Sequence, residues 1–266
     1  MSSQVAQTEC LPAVASHADL VALLTNEVLT DFFQMRDAII GKTIILGDEV
    51  LSKWVSTKAE LKEANKLDSC FFNPLRTIPI CETTHSAILG DLLNPQGSHG
   101  QDKLFLLSFL SFLKVPNPTE GEWIITVERG RIDILLRRLK PISVVIIENK
   151  SNDAGDQENQ LYQYWYQAIC QPYHAAPDYD YLTKLAFKIV YLTSNSSKVP
   201  NKNSLERPEW AAKMNLPKRI PIEPRTITFQ ELMQIWLAGS GSKLNATKNP
   251  RLTTFLRFYS ELWLPI

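Results

Sequence analysis

Near the middle of the chain, Asp133, Glu148 and Lys150 stand in two short runs rich in Ile, Leu and Val. Side chains on a strand alternate between its faces, so Glu148 and Lys150 project to one side and Asn149 to the other. A four-residue turn centred between Lys140 and Pro141 would join the runs as a hairpin and set Asp133 opposite Glu148 on that same face. Two carboxylates and an amine then converge among apolar neighbours, Ile132 and Ile134 on one strand and Val144 to Ile147 on the other. Burying a carboxylate is unfavourable and adjacent carboxylates repel, so the pair needs a cation or a proton. A hard divalent ion such as Mg²⁺ meets that need. It takes oxygen ligands at roughly 2.0–2.1 Å, usually one or two carboxylates with several waters, and keeps positions open for a phosphate. Lys150, a point charge beside such an ion, could orient an attacking water or stabilise the charge that develops during hydrolysis. The same three residues could instead form an internal Asp/Glu/Lys salt-bridge cluster.

These residues need a scaffold, and the pattern of the chain describes one. Residues 1 to 16 read as a loose polar tail. From His17 to about Ile40, Leu20, Leu23, Leu24, Val28, Phe32 and Met35 recur at helical spacing, with Gly41 as a stop; a second, more charged helix is expected from about Asp48 to Leu67. Pro74 and Pro79 mark an irregular link, Glu82 to Leu93 reads as a helix closed by Asn94-Pro95, and Leu104 to Leu113 as a buried helix. The period then changes to that of strands: Glu122 to Glu128, Arg131 to Arg137 and Ile142 to Asn149. A helix is expected at Gln157 to Cys170 and a fourth strand at Phe187 to Thr193. A Pro/Asn/Lys-rich loop, weakly structured, then runs from about Ser194 to Arg225. A short strand at Thr226 to Thr228 and helices near Gln230 to Ala238 and Arg251 to Trp263 complete the chain. This order predicts an α/β sandwich with a central mixed sheet, an N-terminal helical layer at 17–80, a core at 81–193, and a loop with C-terminal helices at 194–266.

Composition bounds what such a scaffold could be for. With 266 residues, 44% of them hydrophobic and 21% charged, the chain can bury a large core. The N-terminal residues lack the basic end and apolar run of a signal peptide. The longest apolar stretch, Leu104 to Leu113, is too short to cross a bilayer, so the expected location is the cytoplasm, with no membrane partner. Cys10, Cys70, Cys81 and Cys170 form no C-x-x-C pair, which suits reduced thiols better than disulfides or zinc. Net charge is zero, so the surface is not uniformly basic. From Lys198 onward, however, 11 Lys/Arg face 5 Asp/Glu, against 17 and 23 before it. A local phosphate-contacting surface and solvated loop lysines both fit that asymmetry.

The motifs together carry a resemblance. Gly130-Arg-Ile-Asp133, then Ile146-Ile-Glu148-Asn-Lys150, then Ala154-Gly-Asp-Gln-Glu-Asn-Gln160-Leu-Tyr-Gln-Tyr164 resemble the PD-(D/E)XK nuclease superfamily, in a subfamily that writes its E-x-K motif as E-N-K. Upstream, Glu82-Thr-Thr-His85-Ser86-Ala-Ile-Leu, then Leu92-Leu-Asn-Pro-Gln-Gly and His99-Gly, are similar to that subfamily's opening helix. The likeness runs from about Glu82 to Thr193; Ile132 stands where the family's name has proline. E-x-K alone carries little, and the ordered set carries the resemblance.

The resemblance implies a restriction-endonuclease-like fold and a phosphodiester hydrolase. Asp133 and Glu148 would be metal ligands, Lys150 the catalytic lysine, and Glu82 a supporting acid that could also reach the metal. Gln160 and Tyr164 would support the site from the following helix. Their spacing independently puts them on one helical face, although a capping amide and a core aromatic would look the same. Arg131 is a further supporting candidate. Glu128 could be an outer acid or a partner of Arg129 or Arg131, and His85, near Glu82 on its helix, is a structural or a site histidine. The expectation is therefore a Mg²⁺-dependent endonuclease, Mn²⁺ substituting, with nucleic acid as partner and DNA ranked ahead of RNA. A homodimer or a defence-system partner protein is compatible with it, and phage defence or restriction follows by family association. The alternative is a catalytically silent nucleic-acid-binding or interaction module on the same fold.

Overall fold

The computed structural model describes residues 17–68 and 72–264. The chain divides into two compact units, Met1–Phe72 and Asn73–Ile266; the expected polar tail lies outside the described residues. In the first unit a single helix, α1, runs over His17–Asp68, so the expected stop at Gly41 does not occur. A glycine inside a helix costs only about 1 kcal/mol relative to alanine. Gly41 and Gly47 sit in open surroundings among strong apolar and charged helix residues, with no proline to force a break.

In the second unit a short 3₁₀ turn, Pro74–Thr77, precedes α2 (Glu82–Leu93) and α3 (Leu104–Phe112). Three antiparallel strands follow: β1 (Trp123–Arg129), β2 (Ile132–Leu139) and β3 (Ile142–Lys150). Next comes a continuous helical stretch made of α4 (Gln160–Trp165), a π-helical turn at Tyr166–Cys170 and α5 (Gln171–Tyr173). It begins three residues later than the pattern predicts, because Asn159 takes a left-handed conformation with φ of 56°. A helix α6 (Tyr179–Leu185) leads to β4 (Phe187–Thr193), which pairs parallel with β3. The 194–225 segment is more ordered than its composition suggests. It contains α7 (Lys202–Leu205) and α8 (Glu209–Ala212), closed by a bridge between Glu206 and Arg219. Leu205, Ala211, Ile220 and Ile222, spaced among its prolines and lysines, are buried against the core. Then β5 (Arg225–Thr228) pairs parallel with β4, and α9 (Phe229–Glu231), a π-helical stretch at Leu232–Leu237, α10 (Ala238–Gly241) and α11 (Pro250–Glu261) end the unit.

The sheet order is β1-β2-β3-β4-β5, a mixed sheet with helices on both faces. Strand β3 is buried almost throughout, as its unbroken run of Val and Ile requires. Strand alternation splits its side chains between two cores. Val145 and Ile147 pack with α2, α3 and the C-terminal helices, while Val144 and Ile146 pack with α4 and the π turn that follows it. Helix α2 lies so close to β1 that a Cβ on Gly90 would stand 2.2 Å from Val127 Cγ2. Buried Arg138 ties the β2–β3 hairpin to the segment before β1, donating to Pro141 O (2.9 Å), Ser143 Oγ (2.7 Å), Asn117 O and Glu120 O. Among the described residues no helix is long and apolar enough to cross a membrane.

Candidate active site

The β2–β3 register decides which charges meet. Leu139 pairs with Ile142 across the two-residue turn Lys140-Pro141, and the pairing runs without a slip to Ile134 and Ile147. One step further, that register sets Asp133 beside Glu148. The Asn149 N–H, whose side chain faces the other way, donates to Asp133 Oδ2 at 2.6 Å. Glu148 and Lys150 share the α4 face of β3, with 2% and 6% of their side chains exposed, and Lys150 Nζ lies 2.7 Å from Glu148 Oε1. From α4, Gln160 donates its amide to Glu148 Oε1 (2.9 Å) and Tyr164 OH (2.8 Å) and accepts from Lys150 (3.4 Å) and the Gln157 N–H (3.3 Å). The helix thus presents the amide as a bridge between the lysine, the glutamate and the tyrosine.

Glu82 arrives from the opposite face of the sheet, as the first residue of α2. Asn149 holds that helix end by donating to Glu82 O (2.8 Å) and Ser86 Oγ (3.0 Å), and the Glu82 carboxylate accepts from the Asn152 N–H at 3.2 Å. Asp133, Glu148, Lys150, Gln160, Tyr164, Glu82 and Arg131 all line one cavity of about 570 Å³. A larger hollow of about 810 Å³, between α2 and the start of α11, gathers mainly apolar groups with Asp91, Lys248 and Arg251. Asp91 is engaged by Ser98 there, so size alone does not locate the chemistry.

The cavity is electrostatically loaded. Burial pushes Asp133 up to about 6, opposed by the Asn149 N–H and reinforced by Glu128. Burial and then the Asp133 charge push Glu148 up to about 8. Burial alone would lower the Lys150 ammonium, but Glu148 at ion-pair distance, with Asp156 and Glu82, holds it above its ordinary value, so it stays charged. Tyr164 is driven up by burial and by Glu148, and remains a neutral phenol. Burial is thus the main reason both carboxyls resist ionisation, with neighbouring carboxylates adding to it and Lys150 opposing it.

A family model of the PD-(D/E)XK nuclease superfamily matches residues 72–261. The chain belongs to that superfamily. Comparison with curated proteins and with solved structures found no match. PD-(D/E)XK nucleases typically use divalent metals, and the donor set here suits a hard cation. Glu148 Oε1 is occupied by Lys150 and Gln160, while its Oε2 is buried with no hydrogen-bond partner among the described residues. An orphaned carboxylate oxygen beside a second carboxylate is an unsatisfied arrangement that an ion would complete. Among the described residues no three His, Cys, Asp or Glu side chains close into a metal cage. A site of this PD-(D/E)XK kind would thus rest on two carboxylates, with water filling the other positions.

Two residues behave differently from what their neighbours in sequence suggest. His85 turns inward, its Nδ1 3.0 Å from Tyr259 OH and its ring among Phe229, Tyr259 and Trp263; burial lowers it to about 4, so it is a neutral core residue. Asp156, which stands inside the quoted motif without a role there, has its side chain buried beside Lys150. It accepts from Tyr191 OH (2.6 Å) and the Asn201 N–H (2.6 Å), and its Oδ1 lies 3.9 Å from Lys150 Nζ. Its position on the loop between β3 and α4 was visible in sequence, but its partners on β4 and beyond were not.

Proposed function

We propose that this chain is a Mg²⁺-dependent endonuclease that hydrolyses phosphodiesters, with DNA as the substrate nominated ahead of RNA. The observation that carries this reading is the buried, unpartnered Oε2 of Glu148 beside Asp133, with the Lys150 ammonium 2.7 Å from the other oxygen of the same carboxylate. Asp133 and Glu148 would hold the divalent ion, with Glu82 and Arg131 at the rim of the cavity. The bound ion would supply Lewis acidity toward the phosphate and lower the pKa of water. Lys150 would orient the attacking water and stabilise negative charge as it builds on the phosphoryl oxygens. Gln160 keeps the lysine and Glu148 in fixed relation, and Tyr164 anchors Gln160 from one turn away. A place in phage defence or restriction is proposed on family association alone.

The test is a cleavage assay over duplex, single-stranded and structured DNA and RNA, in Mg²⁺, in Mn²⁺ and in EDTA. Metal-dependent cleavage that disappears in Lys150→Ala supports the proposal. Cleavage of equal rate in the variant would place the reaction in a contaminant, and no cleavage of any substrate would leave only the fold.

A further inference from the structure

The helix that supplies Gln160 and Tyr164 does not end at the catalytic cavity. It continues through the π-helical turn Tyr166–Cys170 into α5, carrying Gln163, Gln167 and Gln171 at four-residue intervals. A π turn is wound more loosely than an α-helix, so residues four apart through it stay in one row; such turns recur at functional sites. With Tyr166 and with Trp210 of α8, the three glutamines line a further hollow of about 390 Å³. It opens one helical turn beyond Gln160. Among the described residues none of the three glutamine side chains has a hydrogen-bond partner within the chain, whereas Gln160, one turn earlier, has four. Trp210 stands with its ring 4.7 Å from that of Tyr166, at 63°, and remains 40% exposed. Packing on Tyr166 holds the indole while part of it stays in solvent.

The chemistry of this strip is specific in what it contains and in what it omits. Three primary amides offer donors and acceptors together, and an indole packed at a steep angle against a tyrosine offers aromatic surface. No carboxylate lines the hollow, so a polyanion would not be repelled, and no Lys or Arg lines it, so it does not grip phosphate. Amide edges and an aromatic face match nucleobases, whose rims carry donors and acceptors and whose faces stack. A base inside a duplex hides both its face and its pairing edge, so only an unpaired stretch can present them. At the 1.5 Å per residue of an α-helix, an upper bound through a π turn, the helix rises about 12 Å from Gln163 to Gln171, room for roughly three stacked nucleotides at 3.4 Å each.

We infer that Gln163, Gln167, Gln171, Tyr166 and Trp210 seat unpaired bases of the substrate strand beside the scissile phosphate, so that the preferred substrate carries a single-stranded segment. This rests on the nuclease reading of the neighbouring cavity. The strip would take the bases while the cavity takes the backbone: Gln163 follows Gln160 by three residues on one helix, so the two rows are neighbours on its surface.

The experiment uses the full chain and three fluorescein-labelled DNA 30-mers: single-stranded, blunt duplex, and duplex with an unpaired flap. Binding is read by anisotropy in the Lys150→Ala background, and cleavage by KM and kcat in the Lys150 protein. Trp210→Ala should weaken binding to the single-stranded and flap DNAs by about fivefold or more, the range expected for one lost base–aromatic stack. KM for those substrates should rise more than kcat falls, and more than KM for the duplex. Trp210→Phe should recover most of the loss, because a ring face is restored. Gln167→Ala with Gln171→Ala should act in the same direction without a ring change. Equal losses on all three DNAs, or no loss on any, would overturn the proposal. If single-stranded binding depends on Trp210 but no DNA is cleaved in Mg²⁺, the strip stands and the nuclease reading falls. If cleavage is robust and indifferent to Trp210, the reverse holds.

Discussion

Replacing Asp133 with asparagine should make the metal-free protein more stable while removing its response to Mg²⁺. In the folded chain Asp133 is half-buried beside Glu148, and its carboxyl is raised from 3.8 to about 6. At pH 8 that rise corresponds to about 3 kcal/mol of destabilisation from holding the charge, at roughly 1.4 kcal/mol per unit. Asparagine carries no charge, and its carbonyl still accepts from the Asn149 N–H, so about 1 kcal/mol of charge-assisted hydrogen bonding is the main loss. The net gain of about 1–2 kcal/mol is worth roughly 3–6 °C in Tm for a domain of this size. The sign with pH follows from the direction of the shifts. Both carboxyls have folded-state values above their ordinary ones, so the stability they contribute is full below about pH 4. It is lost as pH rises through about 6 for Asp133 and about 8 for Glu148. The advantage of Asp133→Asn should therefore be largest at pH 8 in EDTA and fade toward pH 4. Adding Mg²⁺ at about 100 times its Kd should raise the wild-type protein by about 2.7 kcal/mol and leave the variant unmoved, reversing their order. Thermal melts at pH 4, 6 and 8, with EDTA and with Mg²⁺, measure all of this. A variant that melts well below wild type at every pH, with no Mg²⁺ shift in the wild type, would refute the reasoning and favour a salt-bridged core.

Lys150→Ala should keep the Mg²⁺-induced rise in Tm but lose cleavage by about two orders of magnitude or more, the scale of losing one group that stabilises developing charge; calorimetric titration with Mg²⁺ separates binding from turnover. Without Mg²⁺ this variant should melt lower than wild type above neutral pH, because Glu148 loses the ammonium at 2.7 Å. Gln160→Ala should reduce kcat by about tenfold or more with a Tm change of only a few degrees, because its contacts bridge site residues rather than fill the core; a large fall in Tm with unchanged kcat would mark it as structural. Gly90→Val should destabilise the fold by about 1–3 kcal/mol of overpacking and so lower Tm in both EDTA and Mg²⁺, since its Cβ would meet Val127 at 2.2 Å. That shift should also displace Glu82 on the same helix; an unchanged melt would mean that α2 can move away from β1 freely.

What could be read from the chain alone was set by local rules. Strand alternation put Glu148 and Lys150 on one face and Asn149 on the other, and a two-residue turn at Lys140-Pro141 propagated the register that brings Asp133 alongside. The motif order pointed to the superfamily because each motif sits at the end of an element whose period is visible in sequence. Helical periodicity paired Gln160 with Tyr164, but not with the cavity, since spacing specifies a shared face and not its direction. That direction came from tertiary packing: Leu161, Tyr162 and Trp165 are drawn into the core beside β3, which turns the Gln160 side toward Glu148. The same long-range burial made His85 a neutral core residue, ordered the 194–225 segment, and set Asp156 as a second carboxylate within ion-pair distance of Lys150. That carboxylate is held by Tyr191 on a strand formed thirty-five residues later. Only tertiary structure could assemble such contacts, because hydrophobic burial is indifferent to sequence separation whereas the patterns legible in a sequence extend only a few turns.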